Sequence, residues 1–399
     1  MTAQPPHPRG YPDTLPASGA WRPGDPVGNR QFVTITDHRR FALEGGGTLS
    51  EVRLAYETWG TLAADGSNAV LVCHALTGDS HAAGRQGNGH ATPGWWDPMI
   101  GPGRPLDTDR LFVVCVNVLG GCQGSTGPAS IDPGTGTPYG SRFPVVTSRD
   151  MVRAQARLAD HLGVQRWLTV IGGSMGGMQV IEWAVMFPRR VRSFVSLASC
   201  MASSALQIAW SAVGRVALAL DPNWRGGDYY DAAAGEGPHK GLAVARAIAQ
   251  ITYRSDEVLR DRFDRDTVDA LDVFRMWDRF QIESYLDHHG VKLVRRFDAN
   301  AYLVLNKAMD LHDVARGRAG IDTAIGRVTA RSLVVSISSD TLYPPYQQHA
   351  MRDALERAGQ SCEYHSVESP QGHDGFLLEF DHIGPLVADF LAEIEKRDA

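Results

Sequence analysis

The chain has 399 residues, 43% apolar and 21% charged, with a formal net charge of −6 at neutral pH. That length holds two domains, or one large core carrying an insertion. No apolar run reaches the ~20 residues that cross a bilayer, and the interspersed charges argue against a nucleic-acid surface. Residues 1–28 are rich in Pro and Gly and read as a poorly ordered N-terminal tail able to dock on the body. No basic segment followed by an apolar one opens the chain, so a secretory signal is not expected. Five scattered cysteines (Cys73, Cys115, Cys122, Cys200 and Cys362) form no C-x-x-C, which suggests neither a disulfide framework nor a zinc site. A cytoplasmic setting is the expectation.

In chain order, residues 52–56 alternate like a half-exposed strand, with an antiparallel neighbour as one option. Residues 68–74, 111–118, 167–171 and 191–197 are continuous apolar runs of the kind that fit strands buried on both faces. Between them a helix is predicted over 150–162, with Ser148 as its N-cap. Strands alternating with helices imply a mainly parallel, doubly covered α/β sheet. From 201 to 322 the character changes. Residues 206–220, 242–253, 266–277 and 291–309 mostly show helical spacing, which predicts a helical lid inserted between two strands. The α/β pattern resumes with a strand at 332–337, a helix at 346–358, a strand at 362–367 and a last helix at 383–396. The expected division is a tail at 1–28, a first core part at 29–200, a lid at 201–322 and a second core part at 323–399.

Gly172-Gly173-Ser174-Met175-Gly176 joins the strand at 167–171 to an apolar helical pattern. Strand, sharp turn and helix are the setting of a nucleophile elbow. A serine hydroxyl needs a general base, and the base an orienting carboxylate, in the chain order Ser, Asp, His. Asp340 follows the strand at 332–337, and His373 follows the strand at 362–367. His365 lies inside a strand pattern, while His349 and His382 belong to helices. Ser174, Asp340 and His373 are therefore the predicted triad. The oxyanion of a tetrahedral intermediate needs donors. Met175 N–H, just after the nucleophile, is one, and Leu76 N–H in the loop 74–78 is the other. His74 in that loop has no partner spacing for a metal, which favours a loop-shaping role.

These loops resemble the homoserine O-acetyltransferase family of α/β-hydrolase enzymes from about Leu43 to the C-terminus. The landmarks are His74-Ala75-Leu76-Thr77-Gly78-Asp79-Ser80-His81, Pro93-Gly94-Trp95-Trp96, Asn117-Val118-Leu119-Gly120-Gly121-Cys122, Gly124-Ser125-Thr126-Gly127-Pro128, Ile251-Thr252-Tyr253-Arg254 and Gly372-His373-Asp374. Gln371 and Gly375 depart from the family pattern. The resemblance implies an α/β-hydrolase fold and ping-pong transfer of acetyl from acetyl-CoA, through Ser174, to L-homoserine in methionine biosynthesis. It implies no cofactor or metal beyond acetyl-CoA as co-substrate. By the same resemblance Arg246 holds the homoserine carboxylate and Asp374 its ammonium group, with Tyr253 nearby and Arg254 the competing guanidinium. It further implies a homodimer pairing through the lid helices. A succinyl donor, serine as acceptor, hydrolysis by the same triad, and a non-catalytic ligand receptor stay open at this point.

Overall fold

The computed structural model describes residues 14–36, 40–268, 274 and 276–396. Its frame is one eight-stranded sheet: β1 (Gln31–Thr34), β2 (Arg53–Trp59), β3 (Ala69–Cys73), β4 (Phe112–Val116), β5 (Trp167–Gly173), β6 (Val191–Leu197), β7 (Arg331–Ile337) and β8 (Cys362–Val367). The strand order is β1-β2-β4-β3-β5-β6-β7-β8. β2 pairs antiparallel with both β1 and β4, and every later neighbour pair is parallel. The apolar runs fit this sheet because alternate side chains enter opposite cores. Leu71, Val114, Val170 and Phe194 face one cluster, with α1 (Ser148–His161), α2 (Met175–Met186) and α9 (Pro345–Arg357) packed on it. Val72, Cys115, Ile171 and Val195 face the other, covered by α10 (Phe380–Lys396) and by Trp96 and Met99.

Between β6 and β7 run α3 (Ala205–Ala219), α4 (His239–Tyr253), α5 (Asp256–Phe263), α6 (Gln281–Val294), α7 (Ala299–Asp310) and the short α8 (Ile321–Ile325). The helix predicted over 291–309 is two helices. Asp298 interrupts it, because its side chain caps α7 by accepting from Ala301 N–H at 2.9 Å. The helix predicted over 266–277 is not formed at 266–268, where Thr267 bridges to Phe280. Residues 269–273 and 275 lie outside the described set. Thr147, not Ser148, caps α1, in a reciprocal box with Asp150. The strand at 53–59 is buried through its middle rather than half exposed, since β1 covers its outer edge.

The expectation for residues 1–28 divides at residue 14, where description begins. From there the chain docks on the body. Ser18 Oγ donates to Asp298 at 2.6 Å, Trp21 N–H to Cys122 O at 2.9 Å, and Gly235 N–H to Leu15 O at 2.7 Å. Pro and Gly suit such a segment, because its hydrogen bonds go to the body rather than to a regular ladder. Among the described residues no helix is long and apolar enough to cross a membrane.

Candidate active site

Ser174 sits between β5 and α2 at φ 56°, ψ −125°, a backbone region that non-glycine residues rarely occupy. The conformation is pinned from both sides. Ser174 N–H donates to Leu197 O at 3.0 Å, and Ser199 Oγ donates to Ser174 O at 2.8 Å. A Cβ at Gly176 would lie 2.1 Å from Cys73 O, so a side chain there would drive α2 off β3.

The sheet brings the three predicted residues together. Ser174 Oγ lies 2.9 Å from His373 Nε2, and His373 Nδ1 lies 2.7 Å from Asp340 Oδ2. This arrangement assigns Nδ1–H as donor to the carboxylate and leaves Nε2 to accept the serine proton. The second oxygen of Asp340 accepts from Leu342 N–H at 2.9 Å and Tyr343 N–H at 2.8 Å, which fixes the carboxylate plane. Tyr343, fully buried, stacks on the imidazole at 4.9 Å between centroids. All three triad side chains are buried.

The loop 74–78 turns beside the nucleophile, closed by Gly78 N–H to Ala75 O at 2.9 Å. His74 shapes it: Nε2 accepts from Val118 N–H at 3.1 Å while Nδ1 lies 2.8 Å from Ala75 O. That pattern needs a neutral ring, and burial pushes the His74 pKa down. Leu76 is buried and borders a narrow cavity of about 40 Å³ together with Tyr253, Tyr302, Leu342 and Tyr343. Met175 opens α2, where backbone N–H groups have no intrahelical acceptor.

Arg246 and Arg254 differ in what they touch. Arg254 Nε lies 3.3 Å from Asp374 Oδ2, and its Nη1 donates to Gln371 at 2.7 Å. Arg246 lies over the Tyr253 ring at 5.1 Å, and its buried Nη1 has no hydrogen-bond partner among the described residues. Burial raises the Asp374 pKa, against the opposing pull of Arg254 and Arg246. His289 on α6 is pushed down to about 3 by burial and by Arg246, so it adds no charge there at neutral pH. The two departures from the family pattern have local reasons. Gln371 is the second partner of Arg254, and a Cβ at Gly375 would lie 2.8 Å from Ile337 Cγ2. Tyr343 and Phe376, which flank His373, escaped the sequence reading. The position of Tyr343 three residues after Asp340 was the one available signal.

Glu57, His81 and His90 form the one cluster with metal-ligand chemistry among the described residues. The two imidazoles stack, with centroids 3.7 Å apart and planes 10° from parallel. Ring lone pairs lie in the ring planes, so a shared ion would stand about half that separation out of each. The arrangement does not suit a metal. All five cysteines are unpaired. Burial raises the pKa of each, to about 12 for Cys200, which keeps these thiols protonated.

Comparison with known proteins adds the lineage. A family model described as the alpha/beta hydrolase fold matches residues 68–380. The homoserine O-acetyltransferase of Thermobifida fusca is 54% identical over 379 residues, covering 95% of this chain and 98% of that protein. The chain belongs to the homoserine O-acetyltransferase family. Among solved structures, a homoserine O-acetyltransferase from Bacillus anthracis superposes with a TM-score of 0.84 at 30% identity, covering 91% of this chain and 97% of its own. Esterase E22 superposes with a TM-score of 0.82 at 28% identity, covering 91% of this chain and 99% of its own. The architecture that this family uses thus also carries an esterase, which directs attention to the groups around the triad.

Proposed function

We propose that the chain transfers acetyl from acetyl-CoA to the side-chain hydroxyl of L-homoserine through an acetyl-Ser174 intermediate. His373 Nε2 takes the Ser174 proton as Oγ attacks the thioester carbonyl. The oxyanion is held by the Leu76 and Met175 N–H groups. On collapse the C–S bond breaks and the CoA sulfur takes the proton from His373. Homoserine then enters, His373 takes its hydroxyl proton, and the new oxygen attacks the acetyl carbon. Collapse returns the proton to Ser174 and releases O-acetyl-L-homoserine.

The observation that carries this reading is the unpartnered Arg246 Nη1 beside a complete Ser174–His373–Asp340 relay. A guanidinium buried without a full set of acceptors suits a carboxylate. Arg254 is already engaged, which favours Arg246 for that role and leaves Asp374 for the ammonium group. Against ~55 M water, an acceptor near ~1 mM needs an advantage of roughly 6 kcal/mol. The helical insertion, read as a lid over residues 201–322, excludes water to help supply it. The cavity beside Leu76, Tyr253 and Tyr343, lined by α3 and α4, is too small for an acyl-CoA, and on this reading those helices part as it enters.

The lid also supports a homodimer. Leu206, Trp210, Val213, Val216 and Leu220 form an exposed apolar stripe along α3, and a second copy covers such a stripe at little cost. The unpaired thiols fit a reducing cytoplasm. The deciding assay supplies acetyl-CoA or succinyl-CoA with homoserine, serine or water, and follows CoA release and product identity. O-acetylhomoserine as the dominant product is expected. Release of free acetate at an equal rate with and without homoserine would establish the esterase reading favoured by the likeness to E22.

A further inference from the structure

Behind the loop 74–81 lies a buried group of titratable side chains that the acyl transfer does not use. Glu57, in the middle of β2, is 1% exposed. Its Oε1 accepts from Ser80 Oγ at 3.0 Å, and its Oε2 lies 2.9 Å from His81 Nδ1. Ser80 and His81 end the loop that carries Leu76. The same loop end is tied twice more: His81 N–H donates to Asp79 Oδ1 at 2.8 Å, and the Trp95 indole donates to Asp79 O at 3.0 Å. His90 stacks on His81 and accepts from Asn29 N–H at 3.0 Å, which locks the second ring.

Such a carboxylate is costly to bury unless paired and hydrogen-bonded. Glu57 has both conditions met by residues of one loop. Removing it leaves Ser80 and His81 without their acceptor, and the loop loses its anchor on the sheet. The ties that remain are those of the Trp95 indole and Cys115 Sγ to Asp79 O at this end, and Arg296 Nη1 to Thr77 O at 2.7 Å and Val118 N–H to His74 at the other half. The groups facing His81 are Glu57 from β2, Asp79 on its own loop, His90, and Arg30 near His90. Burial lowers the His81 pKa, but the bond to Glu57 and its charge outweigh that and raise it above the ordinary histidine value. A folded-state pKa above the ordinary value means this tie is strongest below pH 6.5 and is lost as pH climbs through the folded pKa.

We propose that Glu57 is a positioning residue for acyl transfer, acting through Ser80 and His81 to hold the Leu76 N–H where the oxyanion forms. This rests on reading Leu76 as an oxyanion donor. The test is Glu57→Gln, with Ser80→Ala as a milder variant should the first fold poorly. Thermal melts and circular dichroism check the fold, and the rate of Ser174 modification by a fluorophosphonate reports the oxyanion site. The expected result for a folded Glu57→Gln is a kcat lower by roughly 10–100-fold. The homoserine KM should hold within about 2-fold and fluorophosphonate labelling should slow in parallel. Ser80→Ala should show the same split in smaller measure. A folded Glu57→Gln with unchanged kcat overturns the proposal, and so does a stoichiometric metal ion that the wild-type protein holds and the variant loses. Leu76→Pro, which removes the N–H, separates the two readings. Full-rate Leu76→Pro defeats the oxyanion assignment itself, whereas slow Leu76→Pro beside full-rate Glu57→Gln defeats the positioning role alone.

Discussion

At the scale of single residues, the proposed acceptor site turns on which charges are already spoken for. Each arginine has a buried nitrogen without a hydrogen-bond partner, Nη1 of Arg246 and Nε of Arg254, but Arg254 is ion-paired with Asp374 and bonded to Gln371, while Arg246 lies over the Tyr253 ring. Arg246→Lys should therefore raise the homoserine KM by about 10-fold or more, because an ammonium cannot replace the planar fork. Single-turnover acetylation of Ser174 should be nearly unchanged, and stopped-flow CoA release measures it. For Asp374 the sign of the pH effect follows from burial. Its raised pKa makes the carboxyl take up a proton at a higher pH than an ordinary aspartate. If Asp374 holds the homoserine ammonium as proposed, that partner is lost as pH falls and KM should rise. Asp374→Asn should flatten that acid limb while raising KM at neutral pH, and an unaltered KM–pH profile would move the ammonium site elsewhere. Ser174→Ala should abolish the acetyl adduct seen by intact-protein mass spectrometry and cut kcat by roughly 10⁴–10⁶. The juxtaposition of Ser174, His373 and Asp340 was legible in the sequence because each sits just past an apolar run, and parallel strands bring their carboxyl ends to one edge. Glu57 was not, since its partners Ser80 and His81 are contacts across the fold that no local pattern announces.

Among elements, legibility followed how strongly local chemistry agrees with tertiary demand. The runs at 191–197 and 362–367 became strands with those bounds, because turns of different composition delimit them. The helical insertion was harder. Apolar spacing continues across 291–309, yet Asp298 satisfies the first turn of α7 and accepts from Tyr229 and Tyr230 as well. A buried carboxylate with that many donors fixes a break that periodicity alone passes over. The α3 stripe carries its own prediction. On the proposed pairing through α3, Val213→Glu together with Val216→Glu should leave a monomer by light scattering where the unaltered chain gives a dimer, since each places a charge on the apolar surface to be buried. A dimer of unaltered mass would place the contact on another face.

For the molecule as a whole, composition excluded a bilayer-crossing helix and the apolar runs pointed to an α/β core, but composition left open whether the start of the chain lies loose or docks. Pro and Gly suit a loose tail and a docked one equally. What distinguishes them is the partner surface, which is more than a hundred residues away in sequence for Cys122, Gly235 and Asp298. Deleting residues up to 24 should lower the melting temperature on the order of 5 °C, from lost buried hydrogen bonds of about 1 kcal/mol each. Calorimetry would read it, and an unshifted melt would show those bonds to be worth little. The same segment has a mechanical consequence. The helical insertion joins the sheet by two covalent connections and is tied to it through space by Arg254 to Gln371 and Asp374, Gln207 to Leu342 O and Arg296 to Thr77 O. Residues 15–21 touch both the insertion, at Gly235, Phe297 and Asp298, and the core, at Cys122. That bridge adds to the ties that oppose rotation of the insertion as one body. Access for a long thioester then falls to bending of individual helices, and amide exchange should quicken in α3 and α4 rather than across the whole insertion.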